Sequence, residues 1–154
     1  MSSKALQISD HLFALMSAFN EVDIFASNNV FVAVSTELDS NYAFELRDLP
    51  GISITLGDES ISGRAVVGAT DRTVQTSVKI LSKAHLTSDP FNIGDQVMVE
   101  AHSRIMADTS LNGLAIDVRH VRTNRSRDVL EKPVSITELI YEIDYRTTTD
   151  SLEI

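Results

Sequence analysis

DPFNIGDQVMVEAHSRIMADTSLNGLAIDVRHVR, residues 89–122, reads as a helix, a tight turn and a strand in direct succession. Asp89 suits a helix cap, because its carboxylate accepts from the first unsatisfied backbone N–H groups. Pro90 suits the first helical position, where its missing N–H costs nothing. Ile93, Val97, Ala101 and Ile105 recur every fourth residue with Met98 beside them, one apolar stripe on a helix running to about Thr109. Gly113 of Asn112-Gly113 takes positive φ readily and closes the turn. From Leu114 the pattern alternates: Leu114, Ile116, Val118 and His120 point one way, while Asp117, Arg119 and Arg122 fall among polar positions. A helix face lying on a sheet face makes a core, and the rest of the chain joins that core or projects from it.

Thr73–Leu81 is the clearest alternation. Val74, Thr76, Val78 and Ile80 face one side, and Gln75, Ser77 and Lys79 the other. Leu49-Pro50-Gly51 is a turn feeding Ile52–Leu56, whose isoleucines and leucine alternate with small hydroxyl residues. Val134–Thr147 predicts a last strand with Leu139, Tyr141, Ile143 and Tyr145 on one face. Near the start, Ala5, Ile8, Leu12, Leu15 and Phe19 step by three or four, widened by Leu6, Phe13 and Met16, which predicts an amphipathic helix. Val30–Val34 and Tyr42–Leu46 are short strand candidates. Thr123–Lys132 is polar and ends at Pro133. Residues 58–71 predict a projecting loop or hairpin, and residues 148–154 a loose tail. The order predicts one α+β domain over 1–154: a mainly antiparallel sheet of about four to six strands, with two helices on one face.

Hydrophobic residues make up 43% of the chain and charged residues 23%, an ordinary balance for a globular protein, so burial of apolar side chains can drive folding. The absence of cysteine removes disulfides, thiolate metal sites and cysteine nucleophiles together. Met1-Ser2-Ser3-Lys4 precedes an amphipathic pattern rather than a secretory signal, and no apolar run reaches membrane-spanning length. The formal net charge of −9 repels phosphate backbones, which argues against general nucleic-acid grasping but suits a passage that nucleic acid slides through.

No motif carries chemistry. The six glycines are scattered and form no phosphate-cradling loop. His11, His85, His102 and His120 have no metal-ligand spacing, and Glu100 and His102, two apart, cannot share a helix face. No catalytic, cofactor or metal residues are assigned, and the chain is expected not to be an enzyme. The unusual charge feature is Arg119, Arg122, Arg125 and Arg127, four arginines in an acidic chain. They read either as a solvated strand end and loop paired with Asp117, Asp128 and Glu131, or as a positive patch that docks on an acidic face of another copy or partner. Direct DNA binding is a weaker third reading.

Several segments, taken in order, resemble phage tail terminator proteins of the minor tail protein U type. They are Leu49-Pro50-Gly51-Ile52-Ser53-Ile54 with Gly57-Asp58-Glu59, then Asp71-Arg72-Thr73 and Asp89-Pro90. Leu111-Asn112-Gly113-Leu114-Ala115-Ile116 and Tyr141-Glu142-Ile143-Asp144-Tyr145-Arg146-Thr147 complete the set. The match is weakest over Val22–Asp48. The resemblance implies a structural virion protein that forms a hexameric ring on the head-proximal end of a finished tail tube. Such a ring stops tube polymerisation and offers the attachment surface for the head and neck. It implies contacts with its own copies, the tail tube protein and the neck connector, assembly in the host cytoplasm, no membrane, and genomic DNA passing through the lumen. Six copies would carry about −54 formal charges, a field that disfavours adhesion of passing DNA. The expected inter-subunit or tube contacts are Asp58, Glu59, Arg64, Asp71, Arg72, Arg119, Arg122, Arg125 and Arg127. The competing readings are another head–tail connector or tail-tube subunit and, more distantly, a small cytosolic enzyme or ligand-binding domain.

Overall fold

The alternation over 73–81 becomes the middle of a sheet. A computed structural model describes residues 3–17, 33–35, 51–63, 68–83, 90–129 and 133–148. Its elements are α1 (Lys4–Ser17), β1 (Ala33–Ser35), β2 (Gly51–Gly63), β3 (Ala69–Lys83), α2 (Pro90–Met106), β4 (Asp117–Val129) and β5 (Pro133–Thr148). The strands form one five-stranded sheet in the order β1-β2-β3-β5-β4. Three-residue β1 lies parallel to the start of β2, and every other neighbouring pair is antiparallel. The fold is α+β.

Register explains the main core. Ile54, Val78 and Leu139 lie side by side across β2, β3 and β5, and Val74, Ile143 and Val118 across β3, β5 and β4. A residue period of two puts all of these on one face. Ile8, Leu12 and Met16 of α1 and Val97, Ala101 and Ile105 of α2 close over that face, each at most 1% exposed. Both helices therefore cover the same side of the sheet. On the other side Leu81, Val134 and Ile140 are buried as well.

A glycine inside α2 sets how closely that helix lies. A Cβ on Gly94 would sit 2.9 Å from Ser82 Oγ and 3.1 Å from Ser135 Oγ. These two buried hydroxyls hydrogen-bond each other across β3 and β5. Only a residue without a side chain lets the helix backbone rest on that pair.

Several boundaries differ from the sequence reading; among them β2 runs on to Gly63 rather than ending at Leu56, and β3 begins at Ala69 rather than Thr73. The helix ends at Met106 rather than near Thr109, and β4 begins at Asp117 rather than Leu114. Asp108 explains both. Its carboxylate accepts from Ser110 N (3.2 Å), Ser110 Oγ (2.6 Å) and Asn112 N (2.7 Å), an alternative to helix that a short acidic side chain offers the backbone. The Ser110 hydroxyl first, then the Asn112 N–H, hold the Asp108 carboxyl below its usual range. Leu111, Asn112 and Gly113 all take positive φ, at 47°, 58° and 84°. For Leu111 that conformation costs of order 1–3 kcal/mol, which full burial of its side chain offsets at about the same size.

A further difference is β4 itself, which continues through Thr123 to Val129 where the sequence predicts a polar segment. In α1 the buried stripe is Ile8, Leu12 and Met16, while Leu6 and Phe13 turn outward at 46% and 37% exposure. The candidate strand at 30–34 overlaps β1 only at its end, and Asp89, Phe19 and the candidate strand at 42–46 lie outside the described residues. Thr148 closes β5, and residues 149–154 lie outside them too.

Candidate functional site at the sheet edges

The residues singled out for interaction separate into three groups. Asp71, Arg72 and Arg119 are engaged within the chain. Asp71 receives Arg146 Nε at 2.7 Å. Arg72 Nε donates to Thr147 Oγ1 at 3.1 Å. Arg119 grips Asp144, with Glu142 at 3.3 Å and Asp117 at 3.5 Å from the same guanidinium. The Arg119 hydrogen bond, with a second from Thr73 Oγ1, holds the Asp144 carboxyl below the usual range. These pairs tie β3, β5 and β4 together.

Asp58 and Glu59 form the second group. Both are exposed on β2, beyond the stretch that β1 covers. A bulge lies here: Leu56 is opposite Thr76, but Glu59 is opposite Val74. Among the described residues β2 has β3 on one side and no strand on the other from 54 to 63. Arg64 lies outside the described residues.

Arg122, Arg125 and Arg127 form the third group, all exposed on β4. This strand pairs with β5 alone among the described residues, so its outer edge is open along 13 residues. The row does not share one face. A bulge at Val121 shifts the register, so that His120 is opposite Tyr141 and Arg122 opposite Ile140. The extra residue flips the alternation. Arg122 stands on the open face, whereas Arg125 and Arg127, opposite Thr137 and Ser135, stand on the helix side. Arg125 accordingly reaches α2, with Nε 3.6 Å from Asp95 Oδ1 and Nη2 3.6 Å from Met98 Sδ.

A cluster that sequence spacing does not reveal sits just inside this bulge. His102 of α2 and His120 of β4 lie tilted to each other with ring centroids 4.9 Å apart, and Tyr141 stacks on His102 and lies beside His120. Tyr141 Oη is 2.8 Å from His102 Nδ1. His120 Nε2 is 3.0 Å from the Arg122 carbonyl and 2.9 Å from Thr123 Oγ1: a protonated Nε2 donates to the carbonyl, and an unprotonated one accepts from the hydroxyl. Burial, then the facing His120, lowers the His102 pKa. The two histidines are 18 residues apart, and only the fold brings them together. No three His, Asp or Glu side chains converge to hold a metal among the described residues. The hollow of about 430 Å³ lined by Asp95, Gln96, Val99 and Glu100 is an open depression on α2, with no converging catalytic groups.

Two edges of opposite sign on one sheet are what this geometry offers. No family model matches the chain. No curated protein matches it either. Among solved structures, the chain is similar to one from a structure described as "Virion of native gene transfer agent (GTA) particle". The two are 10% identical, with a TM-score of 0.46 over 90% of this chain and 94% of the other. That likeness is too loose to carry a function from one chain to the other.

Proposed function

We propose that this chain is a structural virion protein of a long-tailed phage. It caps the head-proximal end of the tail tube as a hexameric ring, ends polymerisation of the tube and presents the surface on which the head's neck docks. The observation that carries this reading is the ordered set of segments from Leu49 to Thr147 that resembles tail terminators. The geometry is consistent with it. Among the described residues, Asp58, Glu59 and Arg122 are exposed charges on the outer part of the sheet.

The physical task is specific. The end of a growing tube is complementary to one more ring, so a terminator must fit that end with one surface and refuse stacking with the other. Contacts between different patches of like subunits close into a ring when the rotation permits. The acidic balance of the chain suits a lumen that does not hold passing DNA.

Electron microscopy of the protein with tail tubes from the same phage tests the reading. One ring at one end of each tube, with tube length fixed thereafter, is the expected result. Cylinders growing without limit from this protein alone would make it a tube subunit, and no association with tubes would remove it from the tail.

A further inference from the structure

We infer that Asn112 is a site of spontaneous covalent modification. The backbone nitrogen of Gly113 displaces the Asn112 side-chain amide, and the cyclic imide that forms opens to aspartate or isoaspartate. This reactivity does not depend on the ring reading above. Asn112 and Gly113 lie in the turn between α2 and β4, and both are exposed. Ring closure needs a backbone N–H and a side-chain amide that nothing holds. Each of the other backbone N–H groups from Ser110 to Ile116 is held by an acceptor. Gly113 N–H has none among the described residues, and neither does the Asn112 side chain have a partner there. Glycine also brings no side chain to crowd the attacking nitrogen. Closure turns the backbone between the two residues, and the bond that spans this turn, Leu114 N to Leu111 O, is long at 3.3 Å.

Exposure alone does not mark the site. Asn124 is exposed too, but its Nδ2 donates to Glu138 Oε1 at 3.2 Å, pairing with β5 fixes its backbone, and Arg125 follows it in place of glycine. At Asn112 the step balances with water alone. A bond forms between Gly113 N and Asn112 Cγ, and the Gly113 proton passes to solvent. The Cγ–Nδ2 bond breaks, and the nitrogen takes up a proton and leaves as ammonia. Water then adds to either carbonyl of the imide. Both products put a carboxylate beside Asp108, whose own carboxylate accepts the Asn112 N–H at 2.7 Å. Like charges there oppose each other. Isoaspartate also lengthens the backbone by one carbon, which upsets the spacing that lets Ala115 N reach Ser110 O at 2.8 Å. The modification therefore loosens the joint between α2 and β4 as the protein ages.

The folded full-length chain is incubated at mildly alkaline pH for days, beside a sample unfolded in guanidinium chloride. Peptide mass spectrometry follows each asparagine, and enzymatic methylation of the freed α-carboxyl scores isoaspartate. In the folded chain, conversion at Asn112 should run severalfold faster than at Asn124, and the aged protein should melt at a lower temperature than the fresh one. Asn112→Gln, which closes a larger ring slowly, should suppress both the conversion and the fall in melting temperature on ageing. Asn112→Asp should reproduce part of that fall without ageing. Conversion at Asn124 as fast as at Asn112, or conversion at Asn112 in the unfolded sample only, would overturn the site. An aged chain that is converted yet melts like the fresh one would overturn the loosening.

Discussion

The helix-covered face of the sheet and its two outer edges follow opposite rules. On the covered face, Leu139, Ile143 and Val78 are at most 1% exposed, and even a single methyl at Gly94 has no room. At the edges, Asp58, Glu59, Arg122, Arg125 and Arg127 are exposed, and three register shifts interrupt the ladders. One region specifies the fold; the other can change without unfolding it and is therefore where selection for a partner can act. Substitutions in the two regions should separate stability from assembly.

The largest effect belongs to the core. Leu139→Ala removes a side chain buried in the core on the helix-covered face and should lower unfolding free energy by about 2–5 kcal/mol, read by denaturant titration. Gly94→Ala should come next. Alanine usually favours a helix interior over glycine, but here the added methyl meets the buried Ser82–Ser135 pair. A net loss of about 1–3 kcal/mol is expected, and a gain would mean that α2 does not rest on those hydroxyls.

A pH effect should be smaller. The folded chain resists protonation of His102, so the unfolded chain binds more protons around the ordinary histidine value of about 6.5. Stability is full above that value and falls as pH drops through it. His102→Gln should flatten this slope between neutral pH and about pH 5, measured by thermal melts. The smallest effect on the monomer is expected from Arg122→Glu, an exposed side chain on the open face. Unfolding free energy should stay within about 0.5 kcal/mol, while ring assembly weakens. If this variant unfolds the chain, the division between face and edge fails.

Much of the covered face is legible in the sequence. The period-two pattern of Val74–Ile80 and Leu139–Tyr145 and the fourfold steps of Val97, Ala101 and Ile105 all point into the observed core. What fails is what periodicity cannot see. The stretch Thr123–Val129 is strand, yet its residues 124–127 are exposed on both faces, with no apolar alternation to announce a strand. The bulge at Val121 then reverses the facing of every later side chain, which puts Arg122 on the open face with Arg119 and turns Arg125 and Arg127 to the helix side. The partners of Asp71 and Arg72 lie 75 residues away, beyond any local signal, and so both looked available for a partner. In α1, Leu6 and Phe13 fit the helical stripe as well as Met16 does, and only packing against the sheet decides that Met16 is the one inside.

The central claim is the proposed one, that this chain caps the end of a tail tube as a ring. A reconstruction of the capped tube end by electron cryo-microscopy tests it most directly. The account predicts a single ring of this chain at the head-proximal end of each tube. Rings of this chain repeated along the tube, or none at its end, would contradict it.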